Sequence, residues 1–409
     1  MTPGEKVSAH SILRAFSSRN YRIYWSGFTL SLVGTWMQTL AQSWLVWDLT
    51  RSPFWLGIVG AMPQLPSLIL GSIGGVLVDR TPKRSLLIIT QSGLALSALA
   101  LAVVTMLGIV KVEHIVLIAA VTGIFTAADT PARLSFVSEI VGKENVGNAI
   151  ALNSSTFNGT RLVGPAIAGL LIPIVGEGGC FLINAISFLA MIVALSLMRD
   201  LPPVVYDRQA SIVAQWREAF RYVRRARVPR ALILNIVAFS MFGFSYVVLM
   251  PVFADEILES GVRGLGALMG SVGVGALIGG IWQAALPRDA RRGRVVIVGA
   301  FGLCVGILLF SVSRSFVLSL LVLPLVGFSS ISMLASTNTL LQTLSPDHLR
   351  GRVLGFYTTS FLGFAPIGSL IVGIAASEIG APYTLAAGAL ICVVVASLTL
   401  ARNKRMMVV

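Results

Sequence analysis

The sequence predicts an all-α integral membrane fold of twelve transmembrane helices arranged as two pseudo-symmetric six-helix bundles. Three observations carry this expectation. The 409 residues are 56% hydrophobic and only 12% charged, about half the charge of a soluble domain, too little to cover a water-soluble body. Apolar runs of about 20 residues, the length a helix needs to cross a bilayer, recur along the chain. A single long polar stretch, 199–230, divides those runs into two sets of six.

In chain order, residues 1–22 are polar and basic, with no apolar core or cleavage site of a removable leader, and are expected to be a cytoplasmic segment. The first bundle, 23–198, contains the runs 23–47, 54–78, 85–109, 115–137, 149–175 and 180–198. The linker 199–230 follows. Its stretch "SIVAQWREAFRYVRRAR" sets Ile212, Trp216, Phe220 and Val223 at helical spacing among arginines. That pattern predicts an amphipathic helix on the cytoplasmic leaflet, with a solvated linker helix as the alternative. The second bundle, 231–400, contains 231–254, 265–286, 295–312, 316–340, 353–376 and 383–400, and residues 401–409 form a tail.

Orientation follows from the basic residues. With a cytoplasmic N-terminus, 26 of the 31 Lys and Arg residues fall on the cytoplasmic side and four on the other, which predicts that both termini are cytoplasmic. The net charge of +14 is then a topology signal, and no nucleic-acid partner is needed to explain it. The expected partners are the lipid bilayer and a small-molecule substrate, with the chain acting as a monomer. Three cysteines and three histidines are scattered without metal-ligand or disulfide spacing, so no metal or other cofactor is expected. Phosphate-loop, zinc-protease and nucleophile-elbow motifs are absent from the sequence, which argues against an enzyme or an ATP-driven pump.

The two halves share a faint repeat. Residues 128–146 align without gaps to 335–353 at an offset of 207, and the same offset relates Asp48 to Asp255. Similar halves around a central passage are a transporter architecture.

The joint between the second and third runs reads "GGVLVDRTPKRSLLI". Gly75, Leu77, Asp79, Arg80, Lys83 and Arg84 reproduce the pattern G-x-L-x-D-R-x-x-R/K-R, and by it the chain resembles the major facilitator superfamily. The resemblance implies a cytoplasmic latch. Gly75 admits a neighbouring helix, and Asp79 accepts hydrogen bonds at the N-terminus of a helix of the other half. Arg80, Lys83 and Arg84 hold the turn on the anionic leaflet. The alternative is a set of topology charges with no gating role. Pro82 departs from the glycine common in the family, and Ala284 stands at the aspartate's place in the second half.

Asp129 and Arg161 stand out among the ionisable residues inside the runs. Asp129 lies about two turns from the cytoplasmic end of its run; the resemblance implies that it pairs with Lys83, with Arg133 one turn below, and proton carriage is the alternative role. Arg161 lies near mid-membrane and is expected either to attract an anionic group or to pair with Asp129 or helix carbonyls. It opens a stripe of small residues, Thr160, Gly164 and Ala168, that favours close helix packing, and Pro165 bends the helix. Gly164, Pro165 and Gly169 resemble the superfamily's antiporter signature, with Ala168 in place of one glycine; that resemblance implies proton-coupled export. Gln38, Gln42, Asn184, Asn235 and Asn338 are further candidate cavity donors, each of which alternatively makes an interhelical hydrogen bond. Among the 17 acidic residues, no carboxylate other than Asp129 is expected inside the passage, which tilts the substrate toward anionic or neutral amphiphiles.

Further stretches, including "GTWMQTLAQSWLVWDLTRSP", "ADTPARLSFVSEIV" and "SPDHLRGRVLGFY", resemble the branch of that superfamily containing the bacterial enterobactin exporter, of transmembrane secretion effector type. The resemblance implies a secondary active exporter of a siderophore-like metabolite in a bacterial inner membrane, driven by the proton gradient through alternating access. A multidrug or lysolipid transporter of the same fold, and a non-transporting membrane scaffold, are the alternatives.

Overall fold

Every element among the described residues is helical, as expected of a chain that must satisfy its own backbone groups in hydrocarbon. The computed structural model describes residues 14–66, 68–70, 80–142, 144–199, 212–287 and 290–403. Gly75, Leu77 and Asp79 of the proposed latch lie outside the described residues.

Helix α1, Arg19–Thr50, starts where the Ser18 hydroxyl accepts the Tyr21 N–H and ends at Arg51 in the left-handed region, φ 47. Helix α2, Pro53–Ala61, begins on a proline whose missing N–H costs nothing in the first turn. Helix α3, Lys83–Met106, follows Pro82, and α4 is Val112–Val141. Helix α5, Val146–Ser196, is two arms joined at Gly176, whose φ of 71 and ψ of 175 turn the chain where a Cβ would strain it. Helix α6 is Ile212–Arg225. Helices α7, Arg227–Ala238, and α8, Tyr246–Val252, are joined by a wide π turn at Phe239–Gly243, and a second π turn follows at Phe253–Ile257. The second half continues with α9, Gly261–Ala285, and α10, Arg292–Val312. It ends with α11, Phe316–Leu344, α12, Arg350–Ile379, and α13, Ala381–Arg402.

Nine helical stretches among the described residues are long and apolar enough to cross a membrane. Large apolar side chains such as Ile69, Leu134, Ile174 and Leu321 are exposed around the outside, the surface a lipid solvent permits. Inside, α1 packs on α5, and α11 packs on α9 and α10. The halves meet through α5 against α9 and through α2 against α12.

The α5–α9 seam diverges along its length among the described residues. Gly266, Gly273 and Gly280 lie seven residues apart on one face of α9, so each step is about 10 Å. A Cβ on Gly266 would lie 2.8 Å from the Gly169 Cα, and one on Gly273 would lie 2.6 Å from the Leu162 Cα. A Cβ on Gly280 would meet no heavy atom within 4 Å among the described residues. On the α2–α12 seam, a Cβ on Gly373 would lie 2.8 Å from the Gly57 Cα, and one on Gly363 would lie 2.8 Å from the Leu68 Cδ1. The halves are therefore closed at the end carrying Arg51 and parted toward the end carrying Lys83. At the closed end the Trp47 Nε1–H donates to Asp255 Oδ2 at 3.0 Å, and Arg51 pairs with both Asp48 and Asp255.

The sequence predicts an amphipathic linker helix, and α6 makes contacts with the second half. The Tyr222 hydroxyl donates to the Leu344 carbonyl at 2.8 Å, satisfying an otherwise free C-terminal carbonyl of α11. Glu218 pairs with Arg352, Phe220 meets Phe356 edge-on, and Val223 is buried.

Candidate functional site: a cleft between the halves

The cleft begins where the closed seam ends, and glycines set its wall. At Gly164 the first arm of α5 approaches α1 so closely that a Cβ would lie 2.5 Å from the Trp36 Cβ and 3.2 Å from the Met37 backbone nitrogen. Arg161, three residues earlier on the same face, is thereby brought over the indole, with its guanidinium carbon 5.6 Å from the ring centroid. From the other half, the π turn at Phe239–Gly243 resets the helix register just before Tyr246. Trp36, Arg161, Tyr246, Val247, Met250, Met269 and Val272 line a small space between the halves. Tyr246 is 1% exposed, and neither its hydroxyl nor the Trp36 Nε1 has a hydrogen-bond partner among the described residues.

Arg161 lines this cleft, and the pairing with Asp129 that was its alternative is not formed. Asp129 is elsewhere, held by Arg133 one turn along α4, by the Thr90 hydroxyl at 2.8 Å and by the Gln91 amide at 2.7 Å. No carboxylate pairs with Arg161 among the described residues. Ser336, the residue that the 207 offset matches to Asp129, accepts instead from Gln283 at 2.9 Å. The two halves thus fill equivalent places with a charge and with a hydroxyl.

The expected pairing of Asp129 with Lys83 is corrected. Lys83 binds Glu139 at 2.8 Å, because Asp129 faces Thr90 and Gln91, two turns or about 10 Å deeper along α3. The buried Arg133 guanidinium also lies over the Phe28 ring. Arg84 donates to the Ser196 carbonyl at 2.8 Å, tying the ends of α3 and α5, whereas Arg80 is exposed.

Of the five amide candidates, none lines the cleft around Arg161. Gln38 and Asn184 are buried and bond to each other at 2.6 Å, which is the interhelical alternative. Asn338 accepts from Gln342 on its own helix, and Asn235 is buried in α7 with its carbonyl oxygen unpaired. Gln42 is half-buried on α1. Thr160 bonds back to the Phe157 carbonyl, while Gly164 and the Pro165–Gly169 turn form the contacts of α5 with α1 and α9. Sequence reasoning missed Trp36 and Tyr246, the two aromatic donors. The available signal was a Trp and a Tyr inside apolar runs, each next to a small residue, in "GTW" and "FSY".

The family model described as transmembrane secretion effector matches residues 10–407. Curated relatives include the staphyloferrin A transporter of Staphylococcus aureus (strain NCTC 8325 / PS 47), 26% identical and covering 88% of this chain and 90% of that protein. The multidrug efflux pump Tap of Mycolicibacterium fortuitum is 27% identical, covering 87% and 88%. The enterobactin exporter EntS of Shigella flexneri is 26% identical, covering 74% and 71%. Among solved structures, a bacterial homolog of the human lysosomal transporter Spinster superposes with a TM-score of 0.74 at 11% identity, covering 98% of both chains. The nucleoside transporter NupG superposes with a TM-score of 0.73 at 15% identity, covering 94% and 98%.

Proposed function

The chain belongs to the transmembrane secretion effector family of major facilitator transporters, and from that premise we propose that it exports a small amphiphilic or anionic metabolite by alternating access. The observation that carries this reading is the divergence of the α5–α9 seam, tight at Gly169–Gly266 and open at Gly280 among the described residues, with Gly57–Gly373 tight at the same closed end. A central space closed at one end and open at the other is what a rocking pair of halves presents in one of its two states. Counting the arms of α5 separately, and adding α1 and the segment that α2 begins, gives twelve crossings: six before the linker and six after it. The bundles are then 23–198 and 231–400. The distribution of Lys and Arg supports cytoplasmic termini in a bacterial inner membrane, which makes the Lys83 end the inner one. The chain works as a monomer and draws on the proton gradient. Gly75, Asp79, Arg80, Lys83 and Arg84 serve as the inner latch, and the Lys83–Glu139 and Arg84–Ser196 contacts brace its base.

A multidrug efflux role is the second reading. It is favoured by Met250 and Met269 in the cleft wall, since flexible thioethers repack around varied ligands, and by the similarity to the multidrug efflux pump Tap.

The test compares culture medium from deletion and overexpression strains, then measures flux of the accumulating compound in inside-out vesicles with and without a protonophore. A compound lost from the medium on deletion, with flux abolished by the protonophore, is the expected result. Protonophore-insensitive flux removes the coupling, and an unchanged medium removes the export role.

A further inference from the structure

We infer that Trp36, Arg161 and Tyr246 form a clamp for a carboxylate headgroup that the ligand presents to both halves at once. This deepens the proposed function and rests on the cleft being the transport pathway. The clamp follows from an imbalance in the lining. Three donors converge on one cleft: an indole N–H, a phenol O–H and a guanidinium. The remaining lining residues, Val247, Met250, Met269 and Val272, bring no side-chain oxygen.

A buried donor without a partner is unfavourable, and here two occur together beside a cation that no carboxylate neutralises among the described residues. An anion with at least two acceptor oxygens relieves all three deficits. A neutral amide or ester leaves the guanidinium uncompensated, and a cation adds repulsion. The guanidinium lies over the Trp36 ring, its carbon 5.6 Å from the centroid, and carries the N–H groups that a carboxylate accepts from two at a time. The four apolar lining residues set the other requirement, a ring or short hydrocarbon body attached to the anion. The space among these side chains is small, so it takes the anionic oxygens of a headgroup and leaves the rest of the ligand toward the open end.

The three donors come from both sides of the seam: Trp36 from α1, Arg161 from α5 and Tyr246 from α8. A headgroup held by all of them binds best when the halves meet as they do here, so occupancy favours this arrangement.

The test is equilibrium binding of 2,3-dihydroxybenzoate and its neutral amide, 2,3-dihydroxybenzamide, to the purified full chain in lipid nanodiscs by calorimetry. With no gradient present, the result does not depend on transport. The expected outcome is benzoate binding tighter than the amide by about 10- to 100-fold, the worth of one charge-assisted contact. Arg161→Gln erases that ratio, Arg161→Lys keeps part of it, and Tyr246→Phe and Trp36→Phe each weaken the benzoate by about tenfold. Thermal unfolding of each variant confirms that it is folded. Equal binding of the two probes, binding of neither, or a ratio that survives Arg161→Gln overturns the clamp. Charge-indifferent binding with intact proton-driven flux sinks the clamp alone, whereas charge-selective binding without flux sinks the export role alone.

Discussion

Replacing Gly266 by alanine adds one methyl group to a backbone-to-backbone contact of the α5–α9 seam. A Cβ there would lie 2.8 Å from the Gly169 Cα, 2.9 Å from the Pro165 carbonyl oxygen and 3.2 Å from the Gly169 nitrogen. All three are backbone atoms, so no side chain can swing aside, and ordinary contact requires the helices to separate by several tenths of an ångström. Overpacking of this kind costs about 1–3 kcal/mol. Alanine's higher helix propensity, about 0.5–1 kcal/mol, applies equally with the seam closed or open and cancels from their ratio. The closed seam therefore loses about 5- to 150-fold in population relative to the arrangement open at the Arg51 end. Gly280→Ala, two steps along the same face of α9, meets nothing within 4 Å among the described residues and is the matched control.

Spin labels at Phe54 on α2 and Ile379 on α12, both exposed, report the gap by pulsed electron resonance. The three native cysteines are buried and label poorly. Gly266→Ala should move the distance distribution to longer values, and Gly280→Ala should leave it in place. Identical distributions for both variants, with both folded, would refute the claim that this glycine contact holds the end shut.

Two further outcomes follow from the polar contacts. Asp129→Asn leaves the buried Arg133 without its counter-charge and should destabilise the folded chain by about 3–5 kcal/mol in thermal unfolding; adding Arg133→Met should recover much of the loss. A single variant as stable as the parent would mean that the pair is not buried. Arg51→Gln removes an ion pair whose arginine is half exposed, so unfolding should change by at most about 1 kcal/mol. The Phe54–Ile379 distance should nonetheless lengthen, and high salt should reproduce the effect in the parent chain. A salt-independent distance would show that the pair does not hold the end closed.

Much of the fold was legible in one dimension because lipid makes it so. A helix in hydrocarbon satisfies its own backbone, so apolar length and the placement of Lys and Arg decide where the chain crosses and which way it faces. The polar stretch 199–230, the buried site at Asp129, the unusual depth of Arg161 and the close-packing role of Gly164 all lie on that axis. Partner choice does not. Whether Asp129 meets Lys83 or Arg133, whether Gln38 faces a substrate or Asn184, and whether α6 reaches Leu344 depend on depth and helix rotation across neighbours distant in sequence. Trp36 and Tyr246 show this most clearly, since each is an unremarkable aromatic residue within its own run. They become two unmatched donors beside one cation only because Gly164 draws α5 onto α1 and a π turn resets the register before α8. Sequence alone determined the membrane class and the polar residues worth watching; tertiary packing decided which of them are already paired and which still lack a partner, because pairing is a matter of distance between helices and not of order along the chain.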